Sequence, residues 1–514
     1  MKRPQANRPS LWPLLSLALG SILALGSIRA LAAARRSQEG EIVDHPSKLE
    51  FPPLDFQPPD ARAHRHTLPN GVVVYVVEDH SLPLIDVGVH LRAGSYLDPK
   101  GVEGLAGAVG SQLRAGGTSR HAPDEFDEQV DFLAAQISTS IGDTEGEASL
   151  NCLTKDLDRA LELFFEMLRR PRFDESRLGI HKDQVLQNLK RRNDSTRSIE
   201  AREWSRLLRG PDHFSVDRMT GSSLEAITRE RLQEFHRQHI HPGNFILAVS
   251  GDVEKDDILR KLAKHFEGWE RSSTAAPSIP GPARRPEPGV YVVDKPDVNQ
   301  GRAVAGHLAV KRDHPDYHPL LLMNHILGGG GFVSRITSRV RSDEGLAYTA
   351  RSVYRFGTYY EGIFRAYFQS KSPSVAQALD IVLEEIERIR DEKVSEKELE
   401  DAIQYYVGVF PRNFSSARQV ASTFADDELS GRPANFWKTF IQKVRAVTTD
   451  DVLRAAKEQI HPDQLVILIV GNVADILAGN PDRPAHSVKK IAGPRGVHRI
   501  PLPDPLTLEV PKSP

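Results

Sequence analysis

The feature that most restricts the fold of this chain is an internal repeat. Residues 240–242 read Ile-His-Pro, an apolar run follows, and residues 251–253 read Gly-Asp-Val. The same order returns at residues 460–462 (Ile-His-Pro), an apolar run and residues 471–473 (Gly-Asn-Val), at a constant offset of 220 residues. A self-similar period of this length predicts two copies of one structural unit.

A second pair of matching segments and the composition breaks give the boundaries of the copies. Val-Tyr-Val-Val occurs at residues 74–77 and again from 290 to 293. Pro-rich or polar segments predict an arm, a linker and a loose tail between and around the copies. The predicted organisation is an arm (35–62), a first domain (63–271), a linker (272–288), a second domain (289–475) and a tail (476–514).

Each copy follows the order strand, strand, helix, strand, helix, helix, strand. Apolar residues at helical spacing predict helices over 157–168 and 375–389. Continuous apolar runs predict strands at 245–249 and 465–470. We therefore predict an α+β fold of two homologous domains, each an antiparallel sheet with helices packed on one face.

The first 34 residues have the order of an export signal. Lys2, Arg3 and Arg8 precede an uncharged run over 11–28, and small residues follow it. Cleavage after Ala32 or Ala34 would give an exported, periplasmic protein. The alternative is an uncleaved segment that anchors the chain to the inner membrane, since the run is just long enough to span a bilayer; only in that case is a membrane a partner.

Charge and cysteine content exclude several classes. Lys plus Arg (67) nearly balances Asp plus Glu (69), which gives no reason to expect a nucleic-acid partner. The single cysteine, Cys152, is too few for an internal disulfide or a Cys-based metal site.

Several motifs in order resemble the pitrilysin/insulinase metallopeptidases. The first half carries Leu-Pro-Asn-Gly at 68–71, Arg-Ala-Gly-Ser at 92–95 and Gly-Leu-Ala at 104–106. The second half carries Leu followed by four glycines at 327–331 and Gly-Leu-Ala-Tyr at 345–348. The resemblance covers nearly all of 63–475 and implies two kindred domains that form a clamshell around bound peptide.

The zinc motif of that family is degenerate in this chain. Active members carry His-x-x-Glu-His on the helix after Gly-Leu-Ala, with both imidazoles on zinc and the Glu activating water. Here Gly107 and Ser111 align with the two His ligands, Gly110 with the general base, and Gln187 or Asn188 with the distant Glu ligand. We expect this chain to bind no metal and to be inactive alone.

An Arg/Tyr pair of the family is retained in the second half. Arg341 and Tyr348 match the residues that in the family bind substrate and stabilise the tetrahedral oxyanion, a task that suits a guanidinium and a phenol. Some bacterial members divide the zinc motif and this pair between two chains. The resemblance implies a non-catalytic, substrate-binding subunit that assists a zinc-bearing homologous partner. If the family motif is disregarded, the alternative is that Arg341 is a solvated helix residue and Tyr348 a sheet residue with its hydroxyl at the rim.

Two further segments are candidate substrate contacts. Gly328, Gly329, Gly330 and Gly331 would form a flexible loop near the peptide entrance, or a mere turn. The strand containing Ser138, Thr139 and Ser140 corresponds to the family's edge strand, which pairs with substrate main chain, or it has kept only a structural role.

Two other functions remain open at this point. The chain could be a peptide-binding or scaffold protein with no hydrolytic role, or a peptidase active through ligands that the motifs do not reveal. An intact His-x-x-Glu-His in a neighbouring reading frame would favour the subunit, and stoichiometric zinc in the isolated chain would favour the last possibility.

Overall fold

A computed structural model describes His45, Leu49 and residues 56–270 and 277–510. The predicted export segment (1–34) lies outside the described residues, as do most of the arm and residues 272–276 of the linker. None of the described helices is long and apolar enough to cross a membrane.

The first half forms a six-stranded sheet in the order β1-β2-β6-β3-β5-β4. All neighbouring strands are antiparallel except β2 and β6, which run parallel. The strands are β1 (Arg65–Thr67), β2 (Val73–Glu78), β3 (Leu84–Leu91), β4 (Gln136–Ile141), β5 (Gly146–Leu153) and β6 (Phe245–Gly251). The helices of this half are α1 (Ala61–His64), α2 (Leu105–Ala115), α3 (Pro123–Phe132), α4 (Leu157–Arg169), α5 (Glu175–Lys190), α6 (Thr196–Arg209), α7 (Gly221–Glu225), α8 (Arg229–His239) and α9 (Lys255–Phe266).

The second half repeats the sheet in the order β12-β7-β11-β8-β10-β9. Its strands are β7 (Gly289–Asp294), β8 (Gln300–Ala309), β9 (Ala347–Arg355), β10 (Gly362–Lys371), β11 (Val466–Gly471) and β12 (Val497–Arg499). Its helices are α10 (Tyr317–Asn324), α11 (Arg335–Thr337), α12 (Val375–Asp391), α13 (Glu396–Val409), α14 (Ala417–Ser430), α15 (Phe436–Arg445), α16 (Thr449–Gln459), α17 (Val473–Ala478) and α18 (Val488–Ala492), with π-helical segments at His325–Gly329 and Ser338–Asp343. Five of the six positions match the first sheet strand for strand, which confirms the predicted pair of homologous α+β halves.

The sixth strand of the second sheet, β12, lies in the segment after residue 475 that was predicted to be a loose tail, and this prediction is wrong. β12 pairs in parallel with β7, and Val488 and Ala492 of α18 are buried. The tail fills the place on the second sheet that β1 fills on the first. Its prolines suggested a loose segment, but a Pro-rich stretch can still contribute a short outer strand.

The two halves also exchange helices. The face of the first sheet that carries Tyr75, Ile246 and Ala248 packs against α14 of the second half. The equivalent face of the second sheet packs against α6 of the first half, where Trp204 donates its indole N–H to the carbonyl of Val466 at 3.2 Å. Because each sheet is completed by the other half, residues 56–514 form one compact unit.

Candidate functional site

The helix that carries the zinc motif in active relatives is α2, and a half-buried carboxylate fixes where it begins. Asp98 accepts the main-chain N–H groups of Gly104 and Ala106, both at 2.8 Å. Burial raises the pKa of Asp98 to about 6, although the two hydrogen bonds oppose that shift. Gly107 is exposed, and a Cβ atom built on it would have no neighbour within 4 Å. The first ligand position therefore has open space and no donor.

The general-base position is occupied by main chain from the neighbouring strand. A Cβ atom on Gly110 would lie 2.5 Å from the amide nitrogen of Ile141 and 2.9 Å from the carbonyl carbon of Ser140. The carbonyl of Gly110 also accepts the hydroxyl of Thr139 at 2.6 Å. One turn further on, Arg114 donates to the carbonyl of Ile137 at 3.2 Å. Helix α2 thus packs directly on β4, and no side chain fits at position 110 without separating them.

The remaining zinc positions lack suitable donors. Ser111 is half-buried on α2, and Gln187 and Asn188 are exposed on α5. A hydroxyl and two amides are poor substitutes for imidazole and carboxylate at zinc. No group of three or more His, Cys, Asp or Glu side chains able to hold a metal occurs among the described residues. Zinc therefore does not fit this site.

The predicted peptide-pairing strand is β4, which has a neighbouring strand on one side only. Ser138 and Ser140 are exposed, and the hydroxyl of Ser138 lies 2.7 Å from that of Ser149 on β5. Thr139 is committed to α2 through the hydrogen bond described above. The expected edge position is therefore present, and peptide pairing there stays a prediction.

The four glycines from 328 to 331 do not form a flexible loop. Gly328 and Gly329 belong to the π-helical segment, and a Cβ atom on Gly328 would collide with the main-chain nitrogen of Ser352 on β9. Gly330 packs in the same way against His325. Only Gly331 (φ +69°) has open space and a backbone angle that requires glycine. Gly328 therefore serves close packing against the second sheet, whereas Gly329 and Gly330 pack against Asn324 and His325 of the preceding helical turn.

Arg341 and Tyr348 come together on the surface of the second half. The guanidinium carbon of Arg341 lies 4.4 Å from the ring centre of Tyr348 and 4.4 Å from that of Phe332. Tyr348 is 81% exposed and Phe332 64% exposed. Arg341 is thus held between two aromatic rings while its N–H groups remain available at the edge of the stack.

Local irregularities of the backbone place this pair. Arg341 lies in the π-helical segment Ser338–Asp343, a type of insertion that is frequent at functional sites. On β9, Thr349 pairs with Gln369 and Ala347 with Ser370, so Tyr348 has no partner on β10. This β-bulge leaves Tyr348 exposed beside Thr349.

No sequence motif identifies Phe332 as a site residue. Its signal in the sequence is an aromatic residue directly after a run of four glycines, where a turn favours polar residues. The structure brings the degenerate zinc positions of α2 together with β4, and Arg341 together with Tyr348 and Phe332. These are equivalent places in the two halves, because β4 and β9 occupy the same position in their sheets.

Comparison with known families agrees with this division. The insulinase profile (peptidase family M16) matches residues 73–204, and the profile described as "Peptidase M16 inactive domain" matches residues 226–406. Together they cover more than half of the chain. The protein therefore belongs to the M16 insulinase family of metallopeptidases.

Within the family the chain is similar to bacterial proteins of the same length class. It is 22% identical to the "uncharacterized zinc protease YmxG" of Bacillus subtilis over 79% of this chain and 97% of the relative. It is 24% identical to the "non-peptidase homolog YmxG" of Helicobacter pylori over 80% and 94%. The M16 inactive-domain structure from Pseudomonas fluorescens has a TM-score of 0.71 at 24% identity, over 79% of this chain and 97% of that one. The fold is thus the two-domain clamshell fold of M16 proteins, and the zinc positions of the family have no suitable donors in this chain.

Proposed function

We propose that this chain is the substrate-binding subunit of a heteromeric zinc metallopeptidase that acts on peptides in the cell envelope. The partner is a homologous subunit with an intact His-x-x-Glu-His motif, which holds the zinc. The observation that carries the proposal is the contrast between the halves. The metal positions of α2 have no suitable donors, whereas the half-buried Arg341 stacks on the exposed ring of Tyr348.

The chemistry of the retained pair suits assistance from the opposite side of a scissile bond. The Arg341 guanidinium is always charged, and the Tyr348 phenol is a hydrogen-bond donor. Both can donate to a carbonyl oxygen that develops negative charge, and stacking on Phe332 reduces the freedom that Arg341 would lose on binding. Zinc bound by the partner would supply the activated water.

Reconstitution tests this proposal. The mature chain is co-expressed with an M16 subunit from the same organism that carries the intact motif, and peptide cleavage is measured with and without a chelator. We expect chelator-sensitive activity that neither chain has alone. Full activity of the zinc-bearing subunit without this chain would contradict the proposal.

A peptide-binding or scaffold role without hydrolysis is the second candidate. The name of the Helicobacter relative, a non-peptidase homolog, favours it. The same reconstitution separates the two, because a scaffold would bind peptide and partner while the cleavage rate of the mixture stays at that of the partner alone.

Export to the periplasm is part of the proposal and rests on the N-terminal sequence. N-terminal sequencing of the protein from a fractionated envelope tests it. A mature N-terminus at Ala33 or Arg35 in the soluble periplasmic fraction supports cleavage, and an intact Met1 in the inner-membrane fraction supports the anchor.

A further inference from the structure

The β9–β10 hairpin carries a group of unpaired arginines on the face of the second sheet that packs, further along, against α6 of the first half. Arg351 and Arg355 are exposed on β9, and Arg365 is half-buried on β10. Within 4 Å none of the three guanidiniums has an acidic partner in the described part of the chain. Arg302, on the same face of the adjacent strand β8, is by contrast paired with the buried carboxylate of Glu200 at 2.7 Å.

The strand register brings these side chains to one surface. Arg351 lies opposite Tyr367, and Arg355 lies opposite Ile363. Directly opposite residues of antiparallel strands project from the same face about 5 Å apart. The guanidinium of Arg365 stacks over the ring of Tyr367 at 4.9 Å, and its Nε atom is buried without a hydrogen-bond partner. We call this surface, formed by Arg351, Arg355, Arg365 and Tyr367, the arginine face.

The arginine face is continuous with the Arg341–Tyr348 pair. The bulge leaves Tyr348 exposed near the start of β9. Arg351 follows three residues later, about 10 Å away along an extended strand. Like charges this close repel one another and gain nothing for folding when no acidic group faces them. Such an arrangement fits a surface that receives negative charge from a ligand.

We propose that the arginine face binds the acidic segment of an extended peptide whose neighbouring part reaches Tyr348. The inference rests on the proposed function in taking a peptide substrate as the ligand, and it adds the substrate class. The proposed recognition is through the charged side chains of the arginine face; on β9 the carbonyl of Ala350 is already occupied by the hydroxyl of Thr337 at 2.8 Å. The substrates would carry Asp or Glu side chains a few residues from the bond that is cleaved.

Fluorescence anisotropy with the mature full-length chain, without partner, measures this binding. The probes are a labelled peptide with Glu at alternate positions and a matched peptide with Gln there. We expect the Glu peptide to bind at least about tenfold more tightly and to lose affinity between about 50 mM and about 500 mM NaCl. R351E/R355E should weaken binding of the Glu peptide by about tenfold or more.

The matched control is R412E/R445E, which changes the net charge equally. Arg412 and Arg445 are exposed on the helical layer that covers the opposite face of the second sheet. This variant should bind the Glu peptide like wild type. R351Q/R355Q, checked for an unchanged melting temperature, should weaken binding less than the charge reversal does.

Three results would overturn the inference. These are equal affinity for the Glu and Gln peptides, equal loss in both charge-reversed variants, and a thymidine oligonucleotide that binds more tightly and displaces the Glu peptide. A chain that binds the Glu peptide through Arg351 and Arg355 but never supports cleavage would contradict only the subunit function. Loss of cleavage in R341A together with absent Glu-peptide binding would contradict only the arginine face.

Discussion

At the scale of single residues, the two glycines that align with zinc-motif positions differ in their surroundings, so glycine occupies each position for a different physical reason. Gly107 faces open space, whereas a Cβ atom on Gly110 would overlap the backbone of β4. The motif alignment predicts the loss of donors at both positions from the sequence. It could not separate these cases, because the distance between a helix and a strand depends on the packing of distant segments.

The first prediction contrasts alanine at these two glycines. G110A should destabilise the protein by about 1–3 kcal/mol, since its Cβ would overlap the main chain of Ile141. G107A should be neutral or stabilising by up to about 1 kcal/mol, because alanine fits an open helical position and restricts the unfolded chain. Denaturant unfolding midpoints measure both. Equal stability of the two variants would contradict the packing described for Gly110.

The second prediction concerns the aromatic stack around Arg341. In the reconstituted enzyme, R341A should lower kcat by about tenfold or more, the scale of losing an oxyanion donor. F332A should lower kcat by about two- to fivefold, because an exposed cation–π contact is worth about 0.5–1 kcal/mol. F332Y, which keeps an aromatic ring under Arg341, should have a kcat close to that of the wild type.

V333A is the control for this series, since Val333 is the exposed neighbour of Phe332 and is 75% exposed. It removes apolar surface without touching the stack. A V333A variant as slow as F332A would show that Phe332 acts through general surface packing, and not by positioning Arg341.

At the scale of elements, an ion pair connects the segment after the glycine run to the helical layer. Arg335 of α11 forms two hydrogen bonds with the carboxylate of Glu398 on α13, at 2.6 and 2.9 Å. Burial alone would raise the pKa of Glu398, but hydrogen bonds from Arg335 and Ser395 lower it to about 2. This contact fixes one end of the segment that carries Arg341.

A pH dependence follows from this lowered pKa. Glu398 binds its proton less readily in the folded state, so its contribution to stability is present above its ordinary pKa of 4.5 and is lost as the pH falls toward about 2. E398Q should therefore be less stable than wild type at neutral pH, and the difference should shrink below about pH 4.5. Chemical unfolding at a series of pH values measures it. A difference that stays constant down to pH 2 would contradict the assignment.

Elements were largely predictable from periodicity, and their irregularities were not. The helices predicted over 157–168 and 375–389 are confirmed as α4 and α12. The bulge at Tyr348 and the π-helical segment around Arg341 leave no periodic signal, since each inserts a single residue into an otherwise regular element. The glycine run predicts a flexible loop or a turn, because composition indicates permitted backbone angles and not close neighbours.

At the scale of the whole molecule, the internal repeat gave the right architecture but concealed how the copies combine. Amphipathic patterns in α6 and α14 predict that each helix buries one face, and they do not say which sheet receives it. The structure places each helix on the sheet of the other half. The boundary between the predicted domains is therefore not a boundary of folding.

An isolated half should consequently fail to fold cooperatively. A fragment of residues 56–270 would expose the face of Tyr75, Ile246 and Ala248 that α14 covers in the full chain. Arg65 and Tyr75 would also lose their hydrogen bonds to Glu428. We expect a broad thermal transition for the fragment and a sharp one for residues 56–510. A sharp transition of the fragment alone at the full chain's temperature would contradict the exchange.

The central claim is that this chain contributes Arg341 and Tyr348 to an active site whose zinc another subunit holds. The most direct measurement titrates the purified chain into a fixed amount of the zinc-bearing subunit and follows peptide cleavage. We predict that the rate rises to a plateau with wild type, and that R341A reaches saturation at the same concentration with a plateau at least about tenfold lower. Chelator-sensitive cleavage by this chain alone, with stoichiometric zinc bound to it, would contradict the claim.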